Sequence, residues 1–174
     1  MRLTNSHQPG WVESPSPAIK DSGARREFET GAVRDIAVGK GRCDLLPLDV
    51  VYKVIGEDDG STLWHVGQYM DSGDTDCLLS AVQLFCIEQG MDIYTAMLEL
   101  SIHFEDGCIK YGERNWESGI PLHCYIDSGV RHYLKHKRGD TDERHDRAFI
   151  WNMVCAIWTH ENKPELIDIQ GGGE

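Results

Sequence analysis

Apolar side chains recur along most of this chain at intervals of three and four residues, the spacing of amphipathic α-helices. The pattern begins near Asp44 and continues, with short polar breaks, to Glu161. Ser61 and Asp74 stand where helix caps are expected, and Gly90 stands where a helix should end. No segment alternates apolar and polar residues between hairpin turns. The sequence therefore predicts an all-α fold.

The periodic part divides into six helical segments, and the last three are predicted to form the core. The segments cover residues 44–56, 61–73, 74–90, 92–112, 122–139 and 141–161. The final segment is apolar nearly all round, which is typical of a helix buried on most sides.

The two ends of the chain lack this periodicity. Residues 1–30 are rich in proline, glycine and serine, so they predict an extended or irregular arm, which we extend to residue 43 to include a GKGR sequence. Residues 44–162 are predicted to be the helical domain, and residues 163–174 a flexible tail.

Composition narrows the function classes. A chain of 174 residues is expected to form one domain. Its net charge of -12 argues against duplex nucleic acid as a partner, because such binders are normally basic. No apolar run approaches the roughly 20 residues that span a bilayer, and the first residues lack the apolar core of a signal peptide. We therefore expect a cytoplasmic protein without a membrane partner.

One carboxylate stands apart on the helix predicted for residues 92–112. On a helical wheel, Glu99, His103, Asp106 and Lys110 share one stripe, which we interpret as a solvated face. Glu105 instead falls within the apolar arc. A carboxylate facing a core is costly unless it is paired or binds metal, so Glu105 is a candidate site residue.

The last two helices carry further polar residues beside apolar stripes. Asp127 and His132 flank the apolar stripe of segment 122–139. His145 and Asn152 share one stripe of segment 141–161, with Asp142 one turn earlier. Polar groups on a buried helix need partners. We predict that Glu105 and Asp127 supply them, directly or through a divalent cation.

Basic residues accompany these acids and imidazoles. Arg131 and Lys135 lie on the same segment as His132, and Lys40 lies between two glycines whose backbone N–H groups can approach a phosphate. Metal ligands beside cations suit phosphoryl or pyrophosphoryl chemistry, in which positioning and charge neutralisation dominate.

Three stretches carry a resemblance to a known family. They are TGAVRDIAVGKGRCDLLP, KYGERNWESGIP and YIDSGVRHYLKHKRGDTDERHDRAFIWN. They resemble the bacteriophage dATP/dGTP diphosphohydrolases, which look like a divergent branch of the MazG-type all-α nucleotide pyrophosphohydrolases. The resemblance covers roughly residues 28–48 and 100–160. It leaves residues 49–95 as a possible insertion into a MazG-like helical bundle.

The resemblance implies hydrolysis of a purine deoxynucleoside triphosphate, dGTP and also dATP, to the monophosphate and pyrophosphate with Mg²⁺ or Mn²⁺. In a phage it implies supply of dGMP for 2-aminoadenine nucleotides, and MazG-type proteins usually form dimers or tetramers. The chain lacks the literal E-E-x-x-E motif of MazG-type enzymes. The residue pattern and the resemblance together give Glu105, Asp127 and His145 as candidate catalytic residues. The candidate metal ligands are Glu105, Asp127, His132, Asp142, Glu143 and His145. The candidate nucleotide contacts are Lys40, Arg42, Lys110, Tyr111, Asn115, Trp116, Arg131 and Lys135.

Two other interpretations stay open at the level of sequence. An HD-type phosphohydrolase, which releases tripolyphosphate, is suggested by the adjacent His145 and Asp146, with Asp168 as the downstream acid. A non-catalytic helical binding module would instead contain a buried carboxylate–imidazole network with no room for metal.

Overall fold

A computed structural model describes residues 19–20 and 23–169 of the protein. Residues 1–18 and 21–22 of the arm predicted for residues 1–43, and residues 170–174 of the predicted tail, lie outside the described residues. Within the described part, no helix combines the length and the apolar character needed to cross a bilayer.

The predicted all-α fold is confirmed. The α-helices of the described residues are α1 (Leu48–Val54), α2 (Thr62–Ser72), α3 (Thr75–Glu88), α4 (Ile93–Tyr111), α5 (Leu122–Arg138) and α6 (His145–Asn162). Short 3₁₀ turns cover Cys43–Leu45, Asn115–Ser118 and Pro164–Leu166. Two three-residue strands, β1 (Arg25–Glu27) and β2 (Val33–Asp35), pair antiparallel in the region predicted to be irregular.

The helix boundaries follow from local capping chemistry. The Ser61 hydroxyl accepts a hydrogen bond from the Trp64 amide at 3.3 Å and begins α2. The Asp74 carboxylate accepts one from the Asp76 amide at 3.0 Å and begins α3. Each satisfies an N–H that has no partner inside its own helix. Gly73 ends α2 with φ of 72°, a conformation that glycine adopts without steric cost.

The core is centred on α5 and α6, with α3 packed on α6. Its largest buried side chains include Tyr133 from α5, Phe149 from α6 and Phe85 from α3. Gly129 allows α5 to approach α6 closely, because a Cβ atom at that position would lie 2.3 Å from Met153 Cε. Residues 49–95, which the resemblance leaves unmatched, supply α1, α2 and α3 and so belong to the same packed bundle.

The face of α4 that the sequence predicts to be solvated packs against α6 instead. Glu99 accepts a hydrogen bond from Arg147 Nε at 2.5 Å, and the His103 ring lies 5.7 Å from the ring of Trp151. The wheel identifies this polar stripe, but it does not reveal that the stripe meets α6.

The apolar arc of α4 is consequently divided: Leu100 is buried in the core, whereas the other side of the arc is on the outside. Leu98 is 70% exposed and Ile109 is 80% exposed. Glu105 is exposed as well, so the prediction that this carboxylate faces a core is wrong. It lies on the outer side of the arc, with Leu98 and Ile109.

Candidate active site

A cavity of about 620 Å³ lies between β2, α4, α5 and α6. Its walls carry more cationic than acidic side chains, although the chain as a whole is acidic. The cationic residues that line it are Lys20, Arg26, Arg34, Lys40, Arg114, Arg131 and Lys135. This concentration of positive charge suits a ligand with several negative charges.

Three potential metal ligands converge where α5 meets the start of α6. His132 Nδ1 and His145 Nδ1 lie 2.9 Å apart. Glu143 Oε1 lies 3.6 Å from the first nitrogen and 3.5 Å from the second. Among the described residues this triplet forms one group of atoms that can hold a metal ion. His132 and Glu143 line the cavity.

Asp142 supports this group from the side. Its carboxylate lies 2.8 Å from His145 Nε2, the ring nitrogen that points away from His132. This hydrogen bond, followed by one from Lys20, lowers the pKa of Asp142. A carboxylate in this position orients the imidazole ring, as outer-shell partners of metal ligands do.

Burial keeps His132 neutral. Loss of solvation lowers its pKa well below the usual value, and the nearby His145 adds to the effect. A neutral imidazole has a free lone pair on one nitrogen, which is the form that binds metal. The nearby His103, from α4, has its pKa lowered to about 4, chiefly by burial.

Asp127 makes different contacts from those predicted. Its Oδ1 accepts a hydrogen bond from the Cys43 amide at 2.7 Å, and its Oδ2 accepts one from Arg131. Arg131 also donates to the carbonyls of Lys40 at 3.2 Å and Gly41 at 3.1 Å. Asp127 therefore fixes the GKGR turn and Arg131 at the cavity wall.

The predicted partnership of Glu105 and Asp127 with His145 is accordingly wrong. Neither carboxylate belongs to a group of potential ligand atoms among the described residues. His145 is paired with His132 and Asp142 instead. Glu105 lines the cavity from α4 as an exposed side chain.

Several residues that were predicted to contact the nucleotide hold the β-hairpin in place. Asn115 bonds to both the amide and the carbonyl of Val33, at 2.8 and 2.9 Å. Asp35 accepts from Lys110 Nζ at 3.0 Å and from the Tyr111 hydroxyl at 3.1 Å. These contacts bring β2 against α4, so the hairpin forms one wall of the cavity.

Arg42 and Trp116, which were also predicted to contact the nucleotide, have different surroundings from each other. Arg42 is held by the Asp44 carboxylate, with its Nε 2.7 Å from Oδ1. Trp116 lines the cavity and packs between Phe104 and Trp158, with ring centres 5.5 and 4.9 Å away. One end of the cavity is therefore aromatic.

Sequence reasoning missed Arg34, which projects from β2 into this aromatic end. Its guanidinium lies over the rings of Tyr125 and Trp151, 5.1 and 5.6 Å from their centres, and its Nη2 donates to Asn152 Oδ1 at 2.9 Å. The signal available in the sequence was Asn152 itself, a polar residue on an apolar helix that requires a partner.

The comparison with known families settles the class of the protein. The family model described as dATP/dGTP diphosphohydrolase, N-terminal, matches residues 81–169, just over half of the chain. The chain belongs to the dATP/dGTP diphosphohydrolase family. The match runs from within α3 through α6, so this diphosphohydrolase segment includes His132, Glu143 and His145. No curated protein and no solved structure matches the chain.

Membership in this family makes the protein a nucleotide pyrophosphohydrolase. It argues against both the HD-type phosphohydrolase and the non-catalytic binding module. In an HD-type centre, Asp146 would act with His145. In this diphosphohydrolase Asp146 is held by Arg144 at 2.9 and 2.7 Å, and Asp168 lies against His123. A binding module with a closed polar core does not fit either, because the cavity opens beside the histidine pair.

Proposed function

We propose that this protein hydrolyses dGTP and dATP to the monophosphate and pyrophosphate with the help of a divalent metal ion. One observation carries the proposal: the His132, Glu143 and His145 group lies at the wall of a cavity lined with cations. Family membership supplies the substrate class.

The three side chains fit a single ion by their spacing. Metal–ligand bonds of about 2.0–2.2 Å put neighbouring ligand atoms roughly 2.8–3.6 Å apart, from octahedral to tetrahedral angles. The separations of 2.9, 3.5 and 3.6 Å agree with that range. When bound, such an ion would offset phosphate charge and lower the pKa of a coordinated water.

The resemblance implies Mg²⁺ or Mn²⁺, and the ligand types favour Mn²⁺. Mg²⁺ prefers an octahedron of oxygen atoms and keeps much of its water. Two imidazoles and one carboxylate suit a transition metal better. We therefore assign His132, Glu143 and His145 as ligands and Asp142 as the group that orients His145.

The cations near this group are assigned to the phosphates. Lys20 and Lys135 lie 3.2 and 3.7 Å from Asp142, beside the metal ligands. Arg131 and Lys40 are held by the Asp127 network at the same wall. Positioning and charge neutralisation are what phosphoryl transfer requires of a protein. Asp127 acts in this scheme by fixing Arg131.

The reacting water requires a group that can take its proton. Glu105 is our candidate, because it is an exposed carboxylate on the α4 side of the cavity. The released dGMP would feed the synthesis of 2-aminoadenine nucleotides if the chain acts in a phage. We place this reaction in the cytoplasm of the host.

We also propose that the protein is a homo-oligomer formed through α4. Tyr94 and Ile109 are each 80% exposed and Leu98 is 70% exposed along this helix. An apolar face of this kind on a polar chain is a common sign of a protein–protein contact. The neighbouring Glu105 and Cys108 line the cavity, so a second copy on this face would border the site.

The test is to incubate the protein with each dNTP and Mn²⁺ or Mg²⁺ and to separate the products. We expect dGMP and pyrophosphate from dGTP, with Mn²⁺ the better activator. Release of tripolyphosphate would instead support HD-type chemistry. Thermal unfolding with Mn²⁺ alone gives an independent readout, because an ion that binds only the folded state raises the melting temperature.

Matched variants sharpen this test. Glu143→Gln and His132→Gln should abolish both the Mn²⁺-dependent rise in melting temperature and the turnover. Asp146→Asn is the control, since an HD centre needs Asp146 and the proposed centre does not. Full activity in Glu143→Gln, or loss of metal binding only in Asp146→Asn, would refute the assignment.

A further inference from the structure

Arg34 lies at the cavity wall. Within the described part of the chain it contacts the side-chain oxygen of Asn152 and the faces of two aromatic rings, none of which carries a negative charge. Its Nη1 is buried and has no hydrogen-bond partner among the described residues. A buried donor without a partner costs free energy. A ligand that offers an acceptor at this point would remove that cost.

The guanidinium of Arg34 is held in one orientation. Asn152 Nδ2 donates to the Ala148 carbonyl at 2.7 Å, which turns the Asn152 oxygen toward Arg34 Nη2. Tyr125 and Trp151 restrain the flat faces of the group. The remaining donors therefore present a fixed planar edge, whereas a lysine in the same place would present a rotating point charge.

The position of Arg34 along the bundle separates it from the phosphate-binding cations. Its anchor Asn152 lies seven residues after His145, which is about 10 Å along the axis of α6. Lys20 Nζ and Lys135 Nζ instead lie near Asp142, beside the metal ligands. A sugar separates the base from the reacting phosphate, whereas successive phosphates are joined by single oxygen atoms. The base is therefore the part of the substrate that reaches the aromatic end.

We propose that Arg34 reads the purine base and favours guanine over adenine. Guanine presents two adjacent acceptors, N7 and O6, which match the fork of an arginine. Adenine presents N7 but has an amino group in place of O6, so it can accept only one of the two bonds. The inference rests on the proposed function in one respect, namely that this cavity takes a nucleotide.

The first test measures binding of monophosphates, so that it does not depend on turnover. Calorimetry compares dGMP, dIMP, 7-deaza-dGMP, dAMP and dCMP on the wild-type chain. We expect dIMP to bind like dGMP, because it keeps O6 and N7. We expect 7-deaza-dGMP to bind roughly tenfold or more weakly, the range of one lost base contact. Equal affinity for dGMP and 7-deaza-dGMP would overturn the proposal, and this arm needs no variant to fold.

The second test changes the residue. Arg34→Met and Arg34→Lys should both lower dGMP affinity roughly tenfold to a hundredfold and leave dCMP affinity unchanged. Arg138→Met, an exposed arginine outside the cavity, is the control and should bind as the wild type does. Full retention of dGMP affinity in Arg34→Lys, or an equal loss for all nucleotides and for inorganic pyrophosphate, would identify a phosphate contact and refute base reading.

These readouts separate the two proposals. Selective dGMP binding that depends on Arg34, with no dGTP hydrolysis, would reject the proposed function and keep the base-reading role. Hydrolysis of dGTP, together with an equal loss of affinity for all nucleotides in Arg34→Met, would keep the proposed function and reject the base-reading role.

Discussion

The burial of His103 should make the stability of the protein depend on pH. This histidine lies on the face of α4 that packs against α6, beside Trp151. Burial lowers its pKa from 6.5 to about 4. A histidine whose pKa is lowered in the folded state takes up its proton more readily after unfolding. The stability that the folded state has while His103 is neutral is therefore fully retained above pH 6.5 and is lost as the pH falls toward 4.

The magnitude follows from the shift. At pH 5 the unfolded histidine is almost fully protonated and the folded one almost fully neutral, so His103 lowers the free energy of unfolding by about 2 kcal/mol relative to pH 7.5. His103→Gln, which is neutral at every pH, should remove that part of the pH dependence. Urea unfolding of both proteins at pH 7.5 and pH 5, with chelator present to exclude metal effects, measures the difference.

The test compares the change in unfolding free energy between pH 7.5 and pH 5 in the wild type with the same change in His103→Gln. Contributions from acids that titrate equally in both proteins therefore cancel. We expect the wild type to lose about 2 kcal/mol more than His103→Gln between the two pH values. If the two proteins lose stability in parallel, His103 is not buried as described and the packing of α4 on α6 is wrong.

Two further predictions concern helix packing and assembly. Gly129→Ala should lower the free energy of unfolding by about 1–3 kcal/mol, because its Cβ would meet Met153 Cε. Gly107→Ala is the control: it has open space around it and should raise the free energy of unfolding by up to about 1 kcal/mol. Equal effects of the two substitutions in thermal unfolding would contradict the packing of α5 on α6. Leu98→Lys should keep the far-ultraviolet circular dichroism of the folded chain but reduce the mass measured by light scattering to that of a monomer. An unchanged mass would remove α4 as the interface.

The helices could be predicted from the sequence because their signals are local. Ser61 and Asp74 cap the helices they were expected to begin, and the apolar run of α6 is buried as expected. The burial of His145 and Asn152 also follows the pattern, since both lie on the stripe identified from the wheel and both are 2% exposed. Local spacing was sufficient for these features.

The remaining features depend on contacts between distant parts of the chain. The strands Arg25–Glu27 and Val33–Asp35 carry charged residues without apolar alternation, so the hairpin had no recognisable pattern. Arg34 meets Asn152 across 118 positions of sequence. The orientation of α4 is set in part by Arg147 and Trp151 of α6, which bring polar residues of α4 to the inner face beside the buried Leu100.

The short β-hairpin also affects how affinity should be understood in this enzyme. Strands of three residues are not stable alone, and Asn115 and Asp35 are among the groups that dock them onto the bundle. Lys40 and Arg34 belong to the docked segment, whereas Lys135 belongs to the bundle. A nucleotide that touches all three joins the two parts, so its apparent dissociation constant is the intrinsic one divided by the fraction of molecules with the hairpin docked. Changes far from any ligand atom can thus weaken binding simply by letting this wall detach.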